Sequence, residues 1–185
     1  MRGMTDISER YGRLAADFAA TIAAVPADRW GDPSPCPDWD ARDVVRHVVE
    51  SHATFEGLVD RTLEPGPEVD DDPAGAFAAA TAQVQAELED PARADVEFDG
   101  FFGRSTFAQA IDRFISGDLL VHRWDLARAT GSDETMPADE VEGALAALLQ
   151  MGDAIRGAGV FAAAIEPPEG ADPQTKLLCF VGRQP

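Results

Sequence analysis

One long helix is written between Thr106 and Gly131, and the rest of the chain has to pack around it. Thr106 with Gln109 three residues on forms a capping box, and Gly131 suits the left-handed residue that closes a helix. At about 1.5 Å of rise per residue such a helix spans most of a small domain, so it needs partners along its whole length. Its inward positions, read at intervals of three and four, are Phe107, Ile111 and Phe114, followed by Asp118, His122 and Asp125. Two acids and an imidazole thus stand where apolar side chains are expected.

Three further segments carry the same period. In "DISERYGRLAADFAATIAAV" the stripe is Ile7, Tyr11, Leu14, Phe18 and Ile22, with Asp6 and Glu9 as its capping pair and Pro26 beyond its end. Asp40 caps the segment running to Leu63, with Asp43 at the third position; Val44, Val48, Phe55 and Leu58 face inward and His47 falls on that face. Asp72 before Pro73 opens a third helix with the stripe Phe77, Ala80, Val84 and Leu88. Pro and Gly crowd "ADRWGDPSPCPDWD", which reads as a loop. Residues 90–105 hold no more than an extended turn around Val96 and Phe98, without a sheet, and Phe101 and Phe102 are expected to fold onto the core. A fifth helix over 137–157 turns Val141, Leu145, Leu148 and Leu149 inward, and a short helix from Pro173 stops at Gly182. The fold class that follows is all-α: a four-helix bundle with additional short helices, in antiparallel packing.

Length narrows this to one domain, residues 1–185. A formal charge of −19 repels phosphates and anionic lipid heads, so neither nucleic acid nor a membrane surface is an expected partner. No apolar run approaches the roughly twenty residues of a membrane span. Cys36 and Cys179 show no metal or redox spacing, and the start of the chain is not signal-like, which together point to a reduced, cytoplasmic protein. Cys36 lies between two prolines and reads either as a reactive thiol or as a buried inert one.

Four residues turn a helix by about 400°, so Asp118 and His122 lie one above the other on the same face. A buried carboxylate beside an imidazole needs a hydrogen-bond network or a cation. Helix axes in a bundle are about 8–10 Å apart, near enough for His47 to reach the same ion. Two imidazoles and a carboxylate leave coordination positions open, as catalytic sites do. The same residues also read as structure, with His47 a hydrogen-bonded core residue and Asp118 and His122 an intrahelical pair. Asp125, one turn past His122, is expected to accept its other ring proton or to bond the loop before the second helix. His52 sits about 140° from His47 and is left outside the site. Trp39 is expected to shield the site, and Trp124 to pack on the fifth helix or, in a homodimer, on a partner chain.

The stretches "SPCPDWDARDVVRHVV", "DLLVHRWDLARATG" and "KLLCFVGRQP" resemble the DinB-like superfamily, and within it the actinobacterial metal-binding branch similar to mycothiol-dependent maleylpyruvate isomerase. That resemblance covers nearly the whole chain and is weakest over 64–105. It implies a four-helix bundle holding a divalent metal, usually zinc and otherwise nickel or another ion, in a cleft at one end, with His47, Asp118 and His122 as ligands. It further implies mycothiol or a similar small thiol as cosubstrate and a small electrophile as its target, in S-transfer or isomerisation. The isomerase carries Glu at the position of Asp118 and has a C-terminal domain for its dicarboxylate, which finds no counterpart up to Pro185. Maleylpyruvate itself is therefore not the expected substrate. A non-catalytic metal-binding or ligand-sensing bundle and a metal-water hydrolase are the alternative functions. No catalytic acid, base or substrate-binding residue is identifiable beyond the triad.

Overall fold

The computed structural model describes residues 3–100, 103–152 and 161–185. Four long helices, α1 (Met4–Ala24), α2 (Ala41–Gly57), α3 (Pro73–Glu89) and the composite helix that ends in α6 (Ser116–Thr130), form an all-α bundle. Between α3 and α6 lie a one-turn helix α4 (Pro91–Ala94), strands β1 (Glu97–Gly100) and β2 (Gly103–Thr106), and the short α5 (Phe107–Ala110). Helix α7 (Ala138–Met151) and α8 (Pro173–Phe180) pack together beside the bundle. Among the described residues, no helix is long and apolar enough to cross a membrane.

The capping chemistry sets most of these boundaries. Asp40 and Asp43 exchange bonds at the start of α2: Asp43 N donates to Asp40 Oδ1 at 2.9 Å and Asp40 N to Asp43 Oδ2 at 3.2 Å. Asp72 takes the amide of Gly75 at 2.9 Å with Pro73 in the first turn, and Gly131 ends α6 at φ 73°. Helix α1 begins earlier than its sequence pattern predicts. Gly3 is its N-terminal cap, donating to Asp6 Oδ2, so Asp6 stands inside the first turn and is not the cap.

Contacts between helices show how the chain runs. Tyr11 meets His52 and Arg10 meets Asp112, whereas Arg46, near the start of α2, reaches Asp70 just before α3. Glu56 near the end of α2 lies beside Glu87 near the end of α3. Helices α2 and α3 are therefore parallel, a departure from the expected antiparallel packing. The segment 58–72 has to travel back along the bundle to permit it, which is why it is long.

Three other expectations are corrected. Residues 97–106 do form a sheet, a two-stranded antiparallel hairpin with Glu97 opposite Thr106 and Gly100 opposite Gly103, its cross-strand pair being Glu97 with Arg104. Leu58 is 42% and Leu149 60% exposed, so neither faces inward: α2 ends at Gly57, and of the apolar residues expected inward on α7 Val141 is buried while Leu145 and Leu148 are half-buried. The long helix is also not uniform, because Ile111–Ile115 form a π turn between α5 and α6. Phe101, Phe102 and residues 153–157 of the fifth helical segment lie outside the described residues.

The core runs through Tyr11, Phe18, Val44, Val48, Phe77, Val84, Phe107, Ile111, Leu119 and Trp124. Trp124 is buried, with the Arg128 guanidinium 5.6 Å from its ring. Arg10 ties three elements together, donating from Nε to Glu140 on α7 at 2.6 Å and from Nη1 to Asp112 at 2.7 Å. Away from these, Glu56 is fully buried and, among the described residues, no hydrogen-bond donor reaches either of its oxygens, while its neighbour Glu87 holds both Arg61 and Arg93. Burial, and then the Glu87 charge, push the Glu56 carboxyl up to about 7. In the unfolded chain the same group titrates near ~4.3. The folded state therefore binds the extra proton between these values, and stability falls as pH rises across that window, by up to about 2–3 kcal/mol. Urea melts from pH 4.5 to 8 should show this decline in the wild type, and Glu56→Gln should flatten it. Parallel pH profiles for the two proteins would contradict the assignment.

Candidate metal centre

The turn between α1 and α2 is held by its own backbone. Ser34 N donates to Trp39 O at 2.9 Å, Trp39 N to Cys36 O at 3.2 Å, and Ala41 N to Asp32 O at 3.0 Å. Asp38 takes a left-handed φ of 66°, which a short polar side chain tolerates. The result places Trp39 over the second turn of α2, with its ring 4.8 Å from that of His47 and 6.0 Å from that of His122. The same turn presents Cys36, 6% exposed, toward α6.

From α2, His47 reaches toward α6: its Nε2 lies 3.7 Å from Asp118 Oδ2, and its ring centroid is 4.8 Å from that of His122. One ligand-capable atom from each of His47, Asp118 and His122 lies within 4.8 Å of the others. The three residues named by helical spacing thus converge. His47 is 34% and Asp118 26% exposed, while His122 is buried, so the cluster opens on its His47 side. Burial alone would raise the Asp118 carboxyl, but the two imidazoles outweigh it and hold it below the ordinary carboxylate value. The π turn Ile111–Ile115 ends just before the Asp118 turn, where such bulges re-aim side chains.

Behind His122 stands a closed polar group. His122 Nδ1 lies 2.9 Å from Asp125 Oδ2, which leaves Nε2 as its free ring nitrogen. Asp125, with no exposed surface, also takes Arg183 Nε on Oδ1 at 3.0 Å and Arg183 Nη2 on Oδ2 at 2.8 Å. The Cys36 thiol donates to Asp125 Oδ2 at 3.4 Å. Burial opposes the charge on Asp125, yet His122 and Arg183 bring its carboxyl down to about 2. For Cys36 the balance is reversed: burial and the Asp125 charge push the thiol up to about 12, so it is an inert neutral donor. Cys36, His122 and Asp125 also cluster as three ligand-capable groups, but the Arg183 guanidinium occupies that position.

Sequence reasoning names both bonds it weighs for Asp125, to His122 and to the loop before α2, and the structure makes both. It misses Arg183. The available signal is the buried acid itself, which requires a cation or several donors. His52 stays out of the cluster as its position on α2 dictates: it is fully buried, donating from Nδ1 to Val48 O at 2.7 Å and accepting the Tyr11 hydroxyl at Nε2 at 2.8 Å. Burial lowers its affinity for a proton, so it is a neutral core residue.

The donor set suits a divalent ion such as zinc. Two imidazoles and one carboxylate converge, one of the imidazoles is oriented by a carboxylate, and one side stays open. Fold and cluster together define a helical bundle with a His-Asp-His centre between two of its helices. The chain belongs to the family of the mycothiol maleylpyruvate isomerase N-terminal domain, whose model it matches over residues 11–127. It is also 33% identical over 175 residues to the uncharacterized proteins Rv0738 and MT0763 of two Mycobacterium tuberculosis strains, covering 94% of this chain and 95% of each of theirs. No solved structure matches it.

Proposed function

We propose that this protein binds one divalent metal, zinc first, through His47, Asp118 and His122, and uses it to activate a small thiol of the mycothiol type for transfer to, or isomerisation of, a small electrophile. The observation that carries this reading is the convergence of the three ligand atoms within 4.8 Å, with the Nδ1 side of His122 already committed to Asp125. Membership of a family named for a mycothiol-using enzyme supports the choice of thiol. A divalent ion held by His47, Asp118 and His122 would lower the pKa of a small thiol and so provide a nucleophile at neutral pH.

The residues of the chain divide the remaining work. His122 holds its Nδ1 proton against Asp125, which keeps the ring from turning. Trp39 covers the two imidazoles on one side and keeps water from that flank, while the partly exposed His47 and Asp118 face the approach route. Both cysteines are free thiols and buried, as suits a reduced cytoplasm where small thiols are kept as thiols. With a charge of −19, the protein has no electrostatic claim on nucleic acid or anionic membranes, and its partners are small molecules.

A thermal-shift series with mycothiol, cysteine and glutathione, each with and without zinc, tests the reading. A thiol-using metal centre is stabilised by its thiol only when zinc is present, because ligand binding to the folded state alone raises the melting point. Stabilisation by zinc with no response to any thiol would leave a metal-binding bundle and remove the thiol chemistry.

A further inference from the structure

We propose that Arg183 is a positioning residue of the metal centre, so that the segment after α8 completes a site whose ligands come from α2 and α6. This rests on the metal reading above. Asp125 accepts four donors on two oxygens: Arg183 Nε on Oδ1, and Arg183 Nη2, His122 Nδ1 and the Cys36 thiol on Oδ2. The remaining Arg183 nitrogen, Nη1, donates to Val181 O at 3.1 Å, and Nη2 also lies 3.0 Å from Cys36 Sγ. The guanidinium fork grips both carboxylate oxygens, and such bidentate pairs fix orientation as well as charge. An anchored, ionised Asp125 can only accept, so His122 must carry its proton on Nδ1 and keep the Nε2 lone pair for the ion.

The local backbone is built to deliver Arg183 to this place. Helix α8 is followed by Gly182 at φ 82°, and Arg183 N donates back to Leu178 O at 2.8 Å, reversing the chain toward the bundle. A Cβ on Gly182 would stand 2.7 Å from Ala162 Cβ and 3.0 Å from Ala163 O. Both the left-handed conformation and the lack of room require glycine there. Asp125 and Arg183, 58 positions apart in the chain, are thus joined by one side chain, which is 8% exposed.

The experiment compares zinc affinity, by competition with a fluorescent chelator, and the His122 tautomer, by nitrogen-15 NMR of the metal-free protein, in wild type, Arg183→Met and Arg183→Lys. Arg183→Met should weaken zinc by about 10–100-fold and populate the Nε2-protonated ring, with partial recovery in Arg183→Lys, which keeps the charge and loses the fork. Added methylguanidinium should restore part of the loss in Arg183→Met. Zinc affinity within threefold of wild type in a folded Arg183→Met, with His122 still protonated on Nδ1, overturns the proposal. Should Arg183→Met fail to fold, Arg183→Lys decides by the same two readouts, and wild-type values there overturn it as well. Wild-type protein that binds no zinc sinks the metal reading instead, and the tautomer in the metal-free variants then decides separately whether Arg183 positions His122.

Discussion

Asp125→Ala should cost about 3–5 kcal/mol of folding stability. The carboxylate has no exposed surface and balances a guanidinium that is itself 8% exposed. Truncation leaves Arg183 buried and uncompensated, removes the acceptor of His122 Nδ1, and orphans the Cys36 thiol in one step. Asp125→Asn keeps the shape and one carbonyl acceptor, so its cost should be smaller, about 1–3 kcal/mol. Urea denaturation of the metal-free proteins at pH 7 measures both. A loss below about 1 kcal/mol for Asp125→Ala would mean that water already reaches the pair, contrary to the burial described.

His47→Ala should have the opposite profile, abolishing zinc retention at micromolar concentration while changing the stability of the metal-free protein by less than about 1 kcal/mol. A third of its side chain is exposed, and its polar contacts are long: 3.4 Å to the Ser51 hydroxyl and 3.7 Å to Asp118. Its other contacts are ring packing, 4.8 Å from Trp39 and 4.8 Å from His122, on the side that is partly open. His122→Ala cannot make this separation as cleanly, because the ring is buried and bonded to Asp125, so loss of metal would come with about 1–3 kcal/mol of instability. Metal content after gel filtration, read beside the denaturation midpoint, distinguishes the two variants. Zinc retained by His47→Ala at the wild-type level would remove His47 from the centre.

The bundle could be read from sequence because its helices announce themselves locally, through the pairs Asp40 with Asp43 and Thr106 with Gln109 and through apolar stripes that the core uses almost unchanged. The direction of α3 could not. Parallel or antiparallel packing depends on the path of 58–72, and its prolines and acids specify no path. The hairpin over 97–106 escaped for a related reason: eight residues with glycine at both inner ends carry too little alternation to distinguish a strand from a turn. The π turn at 111–115 has no residue type that enforces it. Helix α6 is buried on nearly every side, including Leu119, Leu120, Val121 and Leu126, so its polar members were the only informative ones.

The candidate centre was legible for that reason. Asp118 and His122 are one helical turn apart, and their neighbourhood could be derived without knowing the fold; His47 needed only the assumption that α2 and α6 are adjacent. Arg183 was of another kind, and of Cys36 only the loop that carries it could be named. They meet Asp125 across 58 and 89 residues, and nothing local to either marks it as the partner of a buried acid. Helical spacing finds groups that share a face, whereas the groups that lock that face in place arrive through the tertiary fold.

An anomalous difference map at the zinc edge, from crystals of the zinc-loaded protein, tests the central claim most directly. The expected result is one strong peak within coordination distance, about 2.0–2.2 Å, of His47, Asp118 and His122. A fully loaded crystal whose peak lies elsewhere, or which shows none between these three side chains, would contradict it.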